Sequence, residues 1–151
     1  MPAASLVALP LHPALVHFPV ALLSLAWAYG IASHVTGRPR WAELALTFET
    51  IGLLFVPFTI AAGLLDAGGL DFLLQPDWGS PLIWHFLCST GAAVVFATHA
   101  AWRWRGRGVG VAFSRAPGAI LADVRVDLAL TTAGFWLLVM TGLLAGEMVF
   151  G

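Results

Sequence analysis

Four long apolar stretches alternate with short polar segments along this chain. Each stretch reaches the length of about 20 residues that an α-helix needs to cross the hydrocarbon core of a bilayer. No stretch of the chain indicates a separate soluble domain. The pattern therefore predicts an all-α integral membrane protein, with residues 1–151 forming a single transmembrane four-helix bundle. We place its helices at about residues 13–35, 41–66, 81–103 and 125–149.

The composition agrees with a lipid environment. Of the 151 residues, 60% are hydrophobic and only 10% are charged, and the mean hydropathy is +0.89. Soluble domains usually carry about 25% charged residues, and a charge in hydrocarbon is costly. The chain has no lysine and a net charge of −1, which gives no indication of nucleic-acid binding. Its single cysteine, Cys88, excludes an internal disulfide and a Cys-x-x-Cys-His attachment of haem.

The charges between the predicted helices indicate an orientation. The linker after the second helix contains the acids Asp71 and Asp77 and no base. The linkers after the first and third helices contain the basic residues, namely Arg38, Arg40, Arg103, Arg105, Arg107 and Arg115. Because cytoplasmic loops carry an excess of arginine and lysine, we predict both termini on the non-cytoplasmic face. The longest linker, Gly106–Ala122, is interpreted as either a loop or a short surface helix.

Four of the five histidines lie on the first and third predicted helices, and intramembrane ionisable residues are functional candidates. His85 and His99 are 14 residues apart, so they share one helix face to within about 40° and are separated by about 21 Å. His17 and His34 are 17 residues apart, or about 25 Å along the axis, and we expect them to share a face of their helix as well. Because the two helices run in the same direction, we expect His17 level with His85 and His34 level with His99.

Two stacked pairs of histidines on facing helices are what a four-helix bundle needs to hold two b-type haems. The 14-residue interval also resembles that of the diheme membrane cytochromes b. Imidazole is a suitable axial ligand, and the bundle core supplies a dry pocket in which small residues such as Gly134 would let a macrocycle approach the backbone. The predicted iron ligands are His17 and His85 at an outer haem, with His34 and His99 at an inner one.

Carboxylates accompany the outer histidines. Asp66 ends the second predicted helix and Glu147 lies near the end of the fourth, so they are predicted to form an outer cluster with His12, His17 and His85. Such a cluster can support ligating histidines, bind a metal through mixed nitrogen and oxygen ligands, or exchange protons with a quinone or the periplasm. The opposing interpretation is that helix ends simply gather polar residues.

Glu49 is the acidic residue that lies deepest, about two turns into the second predicted helix. A carboxylate at that depth needs a partner, and His99 and His34 are the nearest by depth, so Glu49 is a further candidate for handling protons. Asp127, by contrast, is interpreted as an interfacial charge at the start of the fourth helix.

The stretch His12-Pro-Ala-Leu-Val-His-Phe-Pro19 resembles the opening of an uncharacterised family of bacterial four-helix membrane proteins, in which His-Pro is followed after a short gap by His-Phe-Pro. Later parts of the chain extend the resemblance over nearly its whole length, and they are Ala62–Asp66, His85 and Thr141–Phe150. The family's marked positions correspond to the outer cluster and do not include His34 or His99. The resemblance implies a multi-pass protein of the bacterial inner (plasma) membrane, in which the arginine distribution predicts that both termini are periplasmic. Its occasional fusion to Rieske iron–sulfur or cytochrome c-type modules implies respiratory electron transfer.

We therefore expect a membrane-embedded b-type haem protein with one or two haem b groups. Its expected partners are the lipid bilayer, other membrane redox subunits and quinone. One alternative is a cofactor-free accessory or structural subunit of a larger respiratory or photosynthetic complex. Another is a metal-binding membrane protein that uses the outer cluster. Because almost no mass lies outside the membrane, an electron-transfer or accessory role is favoured over a self-contained enzyme.

Overall fold

A computed structural model of the chain describes residues 11–69, 71–107 and 117–150. The helices are α1 (Leu11–Thr36), α2 (Pro39–Asp66), the one-turn α3 (Asp71–Leu74), α4 (Pro81–Arg107) and α5 (Pro117–Phe150). No β-strand occurs in these three ranges. The predicted all-α class is confirmed.

Four of these helices, α1, α2, α4 and α5, are long and apolar enough to cross a membrane. Their qualifying segments are His12–Thr36, Pro39–Asp66, Pro81–Arg105 and Val124–Val149. Each end lies within two residues of the predicted helix, because the bilayer thickness and the apolar run set the same length. The pattern did not predict α3. It also did not predict that α5 begins at Pro117, so the last part of the predicted long linker is helical; residues 108–116 of that linker lie outside the described residues.

The connection between α1 and α2 is short because the sequence supplies both a stop and a start signal. Gly37 adopts a φ of 64°, which favours glycine, and its N–H donates to the carbonyl oxygen of Ser33 at 2.9 Å. Pro39 then occupies the first turn of α2, where no N–H is needed. The two helices are therefore antiparallel neighbours.

The spanning helices form a four-helix bundle. Helix α1 packs mainly against α2, and α4 against α5, while the two pairs meet through α1–α5 and α2–α4 contacts. The two helices that carry the candidate histidines, α1 and α4, consequently lie on a diagonal of the bundle. Anything held between them must occupy its central axis.

An apolar layer fills that axis near mid-bundle. Phe96 is 0% exposed and Leu23 is 2% exposed. A Cβ atom at Gly134 would lie 2.8 Å from the ring of Phe96, and one at Gly52 would lie 3.1 Å from Leu23. The space beside Gly134 is therefore taken by a phenylalanine ring rather than left for a macrocycle. This layer separates two polar regions, which we call the His12 end and the His34 end of the bundle.

Candidate functional site

A buried polar network at the His34 end joins all four spanning helices. Nδ1 of His99 on α4 lies 2.8 and 3.0 Å from the two carboxylate oxygens of Glu49 on α2. Nε2 of His99 lies 3.0 Å from Oδ1 of Asp127 on α5, and Nε2 of His34 on α1 lies 2.6 Å from Oδ2 of the same carboxylate. Arg103 donates from Nη1 to Oδ1 of Asp127 at 2.6 Å. We call these five residues the inner network.

The hydrogen-bonding capacities of these groups determine their charges. Ionised carboxylates only accept hydrogen bonds, so a ring held between two of them needs a proton on both nitrogens. His99 is then an imidazolium and, together with the guanidinium of Arg103, balances the carboxylates of Glu49 and Asp127. Because a buried charge is tolerated only when it is paired and hydrogen-bonded, this balance explains how four ionisable groups persist inside the bundle.

The inner network bears on two expectations from the sequence. His34 and His99 were predicted to share a haem iron, but Asp127 lies between them and bonds to both rings. Both nitrogens of His99 are engaged by carboxylates, so this pair does not fit as haem ligands. Asp127 was interpreted as an interfacial charge, yet it is only 4% exposed. Glu49, in contrast, bonds to His99, one of its two predicted partners.

A sequence signal for Asp127 existed and was missed. Arg103 lies near the end of one apolar run and Asp127 near the start of the next, so antiparallel packing of α4 on α5 brings opposite charges to the same depth. Arg103 had been assigned to the linker, but its Nη2 also donates to the carbonyl oxygen of Ala42 on α2 at 3.3 Å. Charges at the two ends of one linker are therefore partners in this bundle.

A cavity of about 1220 Å³ lies at the His12 end and is bounded by all five helices. Most of its wall is apolar. Its polar lining residues are His12, His17, Thr59, Asp66, His85, Ser89 and Thr141. Four of them, the three histidines and Asp66, belong to the predicted outer cluster. Ligand sites in proteins are typically apolar cavities of about 300–1,000 Å³ with a few convergent polar groups. The His12 end therefore has the character of a binding site.

The three histidines of this cavity share one hydrogen-bonding pattern. In each ring Nδ1 lies close to a backbone carbonyl oxygen, at 2.9 Å for His12, 2.6 Å for His17 and 3.0 Å for His85. The acceptors are, in the same order, Thr59, Pro13 and Thr141. A carbonyl can only accept, so Nδ1 carries the proton and donates it, and a neutral ring then has its lone pair on Nε2. All three rings are thus prepared to ligate or accept through Nε2.

His12, rather than the expected His17, lies against His85. The His12 and His85 ring centroids are 6.0 Å apart with an interplanar angle of 81°, whereas His17 is exposed. The helical phase gives the reason. Two residues 17 positions apart on a helix point about 100° apart, so His17 and His34 do not share a face of α1. Two residues 22 positions apart differ by only about 40°, so His12 and His34 lie on nearly the same face.

The two outer carboxylates have different surroundings. Oδ2 of Asp66, at the end of α2, accepts a hydrogen bond from the backbone N–H of His12 at 3.1 Å. An acceptor at this position stabilises the first turn of α1, whose N–H groups lack partners within the helix. Glu147 on α5 is exposed and is not among the residues that line the cavity. The predicted outer cluster is therefore built from α1, α2 and α4, without Glu147.

A direct metal site gains no support from the described ranges. There, no group of three or more histidine, cysteine, aspartate and glutamate side chains has an arrangement that would hold a metal ion. The outer histidines instead line a large, mostly apolar cavity.

Comparison with known proteins gave one result. Residues 8–151 match the family described as "Predicted membrane protein (DUF2231)". Neither the curated proteins nor the solved structures contain a match to the chain.

Proposed function

The chain belongs to the DUF2231 family of predicted membrane proteins, and we propose that it is a b-type haem protein that transfers electrons at the His12 end of its bundle. The observation that carries this proposal is the pair of His12 and His85. Both line the same cavity, both donate Nδ1–H to a backbone carbonyl, and their ring centroids are 6.0 Å apart. Histidines that ligate metals usually have this kind of support on their second nitrogen.

The separation of the two rings supports a shared iron. Metal–imidazole bonds are about 2 Å long, so two imidazoles on opposite sides of one metal have centroids about 6 Å apart. The mostly apolar wall of the cavity suits a macrocycle, and apolar surroundings help to set the potential of an iron. A haem held there would take up and release single electrons. The residues of this chain hold the two ligands in place, with Thr59 and Thr141 fixing the rings and Asp66 fixing the backbone of His12.

The proposal includes one haem and not two. The inner histidines are engaged by Asp127 and Glu49, whereas His12, His17 and His85 have Nε2 left for a ligand. His17 remains a candidate ligand, because it lines the cavity and has the same tautomer.

We further propose that the protein lies in the bacterial inner membrane, with the His12 end on the periplasmic side. Exposed Arg38, Arg40 and Arg105 all lie at the His34 end, and arginine is favoured on the cytoplasmic side. The haem would then lie close to the periplasmic surface. A quinone dissolved in the bilayer and neighbouring redox subunits are the electron partners that fit this position.

The absorption spectrum of protein purified from haem-replete cells tests the proposal. We expect a Soret band and a sharp reduced α-band, both lost in His12→Ala and His85→Ala. His17→Ala distinguishes the two candidate partners of His85, and it should keep both bands because His17 is exposed and His12 lies against His85. If His17→Ala loses them and His12→Ala does not, the second ligand is His17. A colourless wild-type protein would sink the haem assignment, and its co-purification with a larger complex would favour the accessory-subunit alternative.

A further inference from the structure

The side chains of the inner network become steadily less exposed along the chain of hydrogen bonds from His34 to Glu49. Side-chain exposure is 23% at His34, 5% at Asp127, 4% at His99 and 2% at Glu49. The links between them measure 2.6, 3.0 and 2.8 Å. A continuous row of titratable groups therefore leads from a partly exposed histidine near the end of α1 to a carboxylate in the interior.

We propose that His34, Asp127, His99 and Glu49 form a proton relay that loads Glu49 from the His34 end of the bundle. The imidazolium of His99 releases its Nδ1 proton to Glu49, which leaves a neutral ring with its proton on Nε2. A protonated His34 passes the proton on its Nε2 to the carboxylate of Asp127, and a half-turn of that carboxyl group exchanges its oxygens. The ring of His99 turns to present its free nitrogen to Asp127, takes up this proton and becomes an imidazolium again. One N–H or O–H bond forms as another breaks at each step, and the net result is one proton moved from His34 to Glu49.

Arg103 sets the route of this relay. Its guanidinium does not release protons in proteins, so its bond to Asp127 supplies a fixed positive charge and not a path. That charge balances the carboxylate of Asp127, which is the form that accepts a proton from His34. The titratable and charged groups that meet in the network thus come from each spanning helix, and they are His34, Glu49, His99, Arg103 and Asp127.

The relay opens to one side only. Beyond Glu49, toward the His12 end, lies the apolar layer of Leu23 and Phe96, which are 2% and 0% exposed. Protons do not cross such a layer without water or titratable groups. Glu49 is therefore a proton site reached from the His34 end.

A network that only stabilised the fold would not need all of these ionisable side chains. The ion pair of Arg103 and Asp127 already joins α4 to α5. The pair of His99 and Glu49 adds two more ionisable groups in the least exposed part of the network, where apolar side chains of similar volume often stabilise as well or better. The proposal does not depend on haem at the other end of the bundle.

Infrared spectroscopy of the full-length protein in lipid nanodiscs tests the relay. As the pH is lowered from about 9 to about 5, across the usual histidine range, we expect a carboxylic-acid C=O band from Glu49 to appear. The band should be lost in Glu49→Gln and kept in Glu43→Gln, an exposed glutamate of the same helix. A band that survives in Glu49→Gln, or its absence from the folded wild type, overturns the proposal.

The rate at which the Glu49 proton exchanges with solvent distinguishes a proton relay from a purely structural network. After transfer into D₂O, the shift of the band should slow by roughly tenfold or more in His34→Gln, because a positioned acid or base accelerates proton transfer. His17→Gln, the exposed histidine of the same helix, should exchange like the wild type. Equal rates in His34→Gln and the wild type contradict the relay. This measurement uses no variant of a buried residue and works on colourless protein, so it is independent of the haem proposal.

Discussion

The imidazole of His12 lies directly against the backbone of Gly63. A Cβ atom at residue 63 would come within 2.9 Å of Nδ1 of the ring. This is the same nitrogen that lies 2.9 Å from the carbonyl oxygen of Thr59, one turn earlier on α2. The missing side chain of Gly63 and the carbonyl of Thr59 together determine where the His12 ring lies.

Gly63→Ala should therefore displace His12 and weaken the binding of haem. We expect the haem-to-protein ratio to fall toward that of His12→Ala, while the helix content measured by circular dichroism stays unchanged. Gly30→Ala is the control, because no atom lies within 4 Å of a Cβ at that position. Haem loading that is equal in the two glycine variants would contradict this role of Gly63.

The apolar layer gives a second prediction, which concerns stability. In Gly134→Ala the new methyl group would lie 2.8 Å from the ring of Phe96, which is fully buried. Overpacking of this kind costs about 1–3 kcal/mol, so the melting temperature in detergent should fall by several degrees. Gly91→Ala, whose Cβ would meet Leu137 at an ordinary 3.5 Å, should melt close to the wild type. A Gly134→Ala protein that melts no lower than Gly91→Ala would show that Phe96 lies elsewhere.

Asp127 is the acceptor for three other side chains, and its neutralisation should be costly. Asp127→Asn keeps the shape of the side chain but leaves the charges of His99 and Arg103 with Glu49 as their single counter-charge. Breaking a buried ion pair costs about 3–5 kcal/mol, so we expect a large fall in melting temperature or in folded yield. Glu43→Gln removes an exposed carboxylate from α2 and is the control. Equal thermal stability of the two variants would place Asp127 at the surface after all.

Orientation is tested by reporters at two sites. With the arginine-bearing His34 end in the cytoplasm, alkaline phosphatase fused after Gly151 should be active, and green fluorescent protein at that position should be dark. Insertion of the same reporters between Gly37 and Arg38 should reverse both results, because this connection lies at the other end of the bundle. The opposite pattern would overturn the predicted topology and place the cavity on the cytoplasmic side.

The candidate site was only partly accessible to sequence reasoning. Depth alone narrowed the partner of Glu49 to His99 or His34, since a carboxylate far from a helix end must find a partner at its own level, and the structure selects His99. The choice between His12 and His17 depended on helical phase and on the space above Gly63, and the choice of Asp127 as the common partner depended on how α5 packs on α4.

By itself the sequence determined that this is a four-helix membrane protein, and it placed the spanning segments to within two residues. It could do so because the length of an apolar run is a local property that the thickness of the bilayer selects. Only the tertiary structure decided which histidines meet which partners. Those contacts between helices join residues 28 to 93 positions apart, and they depend on helix rotations set by close packing of His12 on Gly63 and of Phe96 on Gly134.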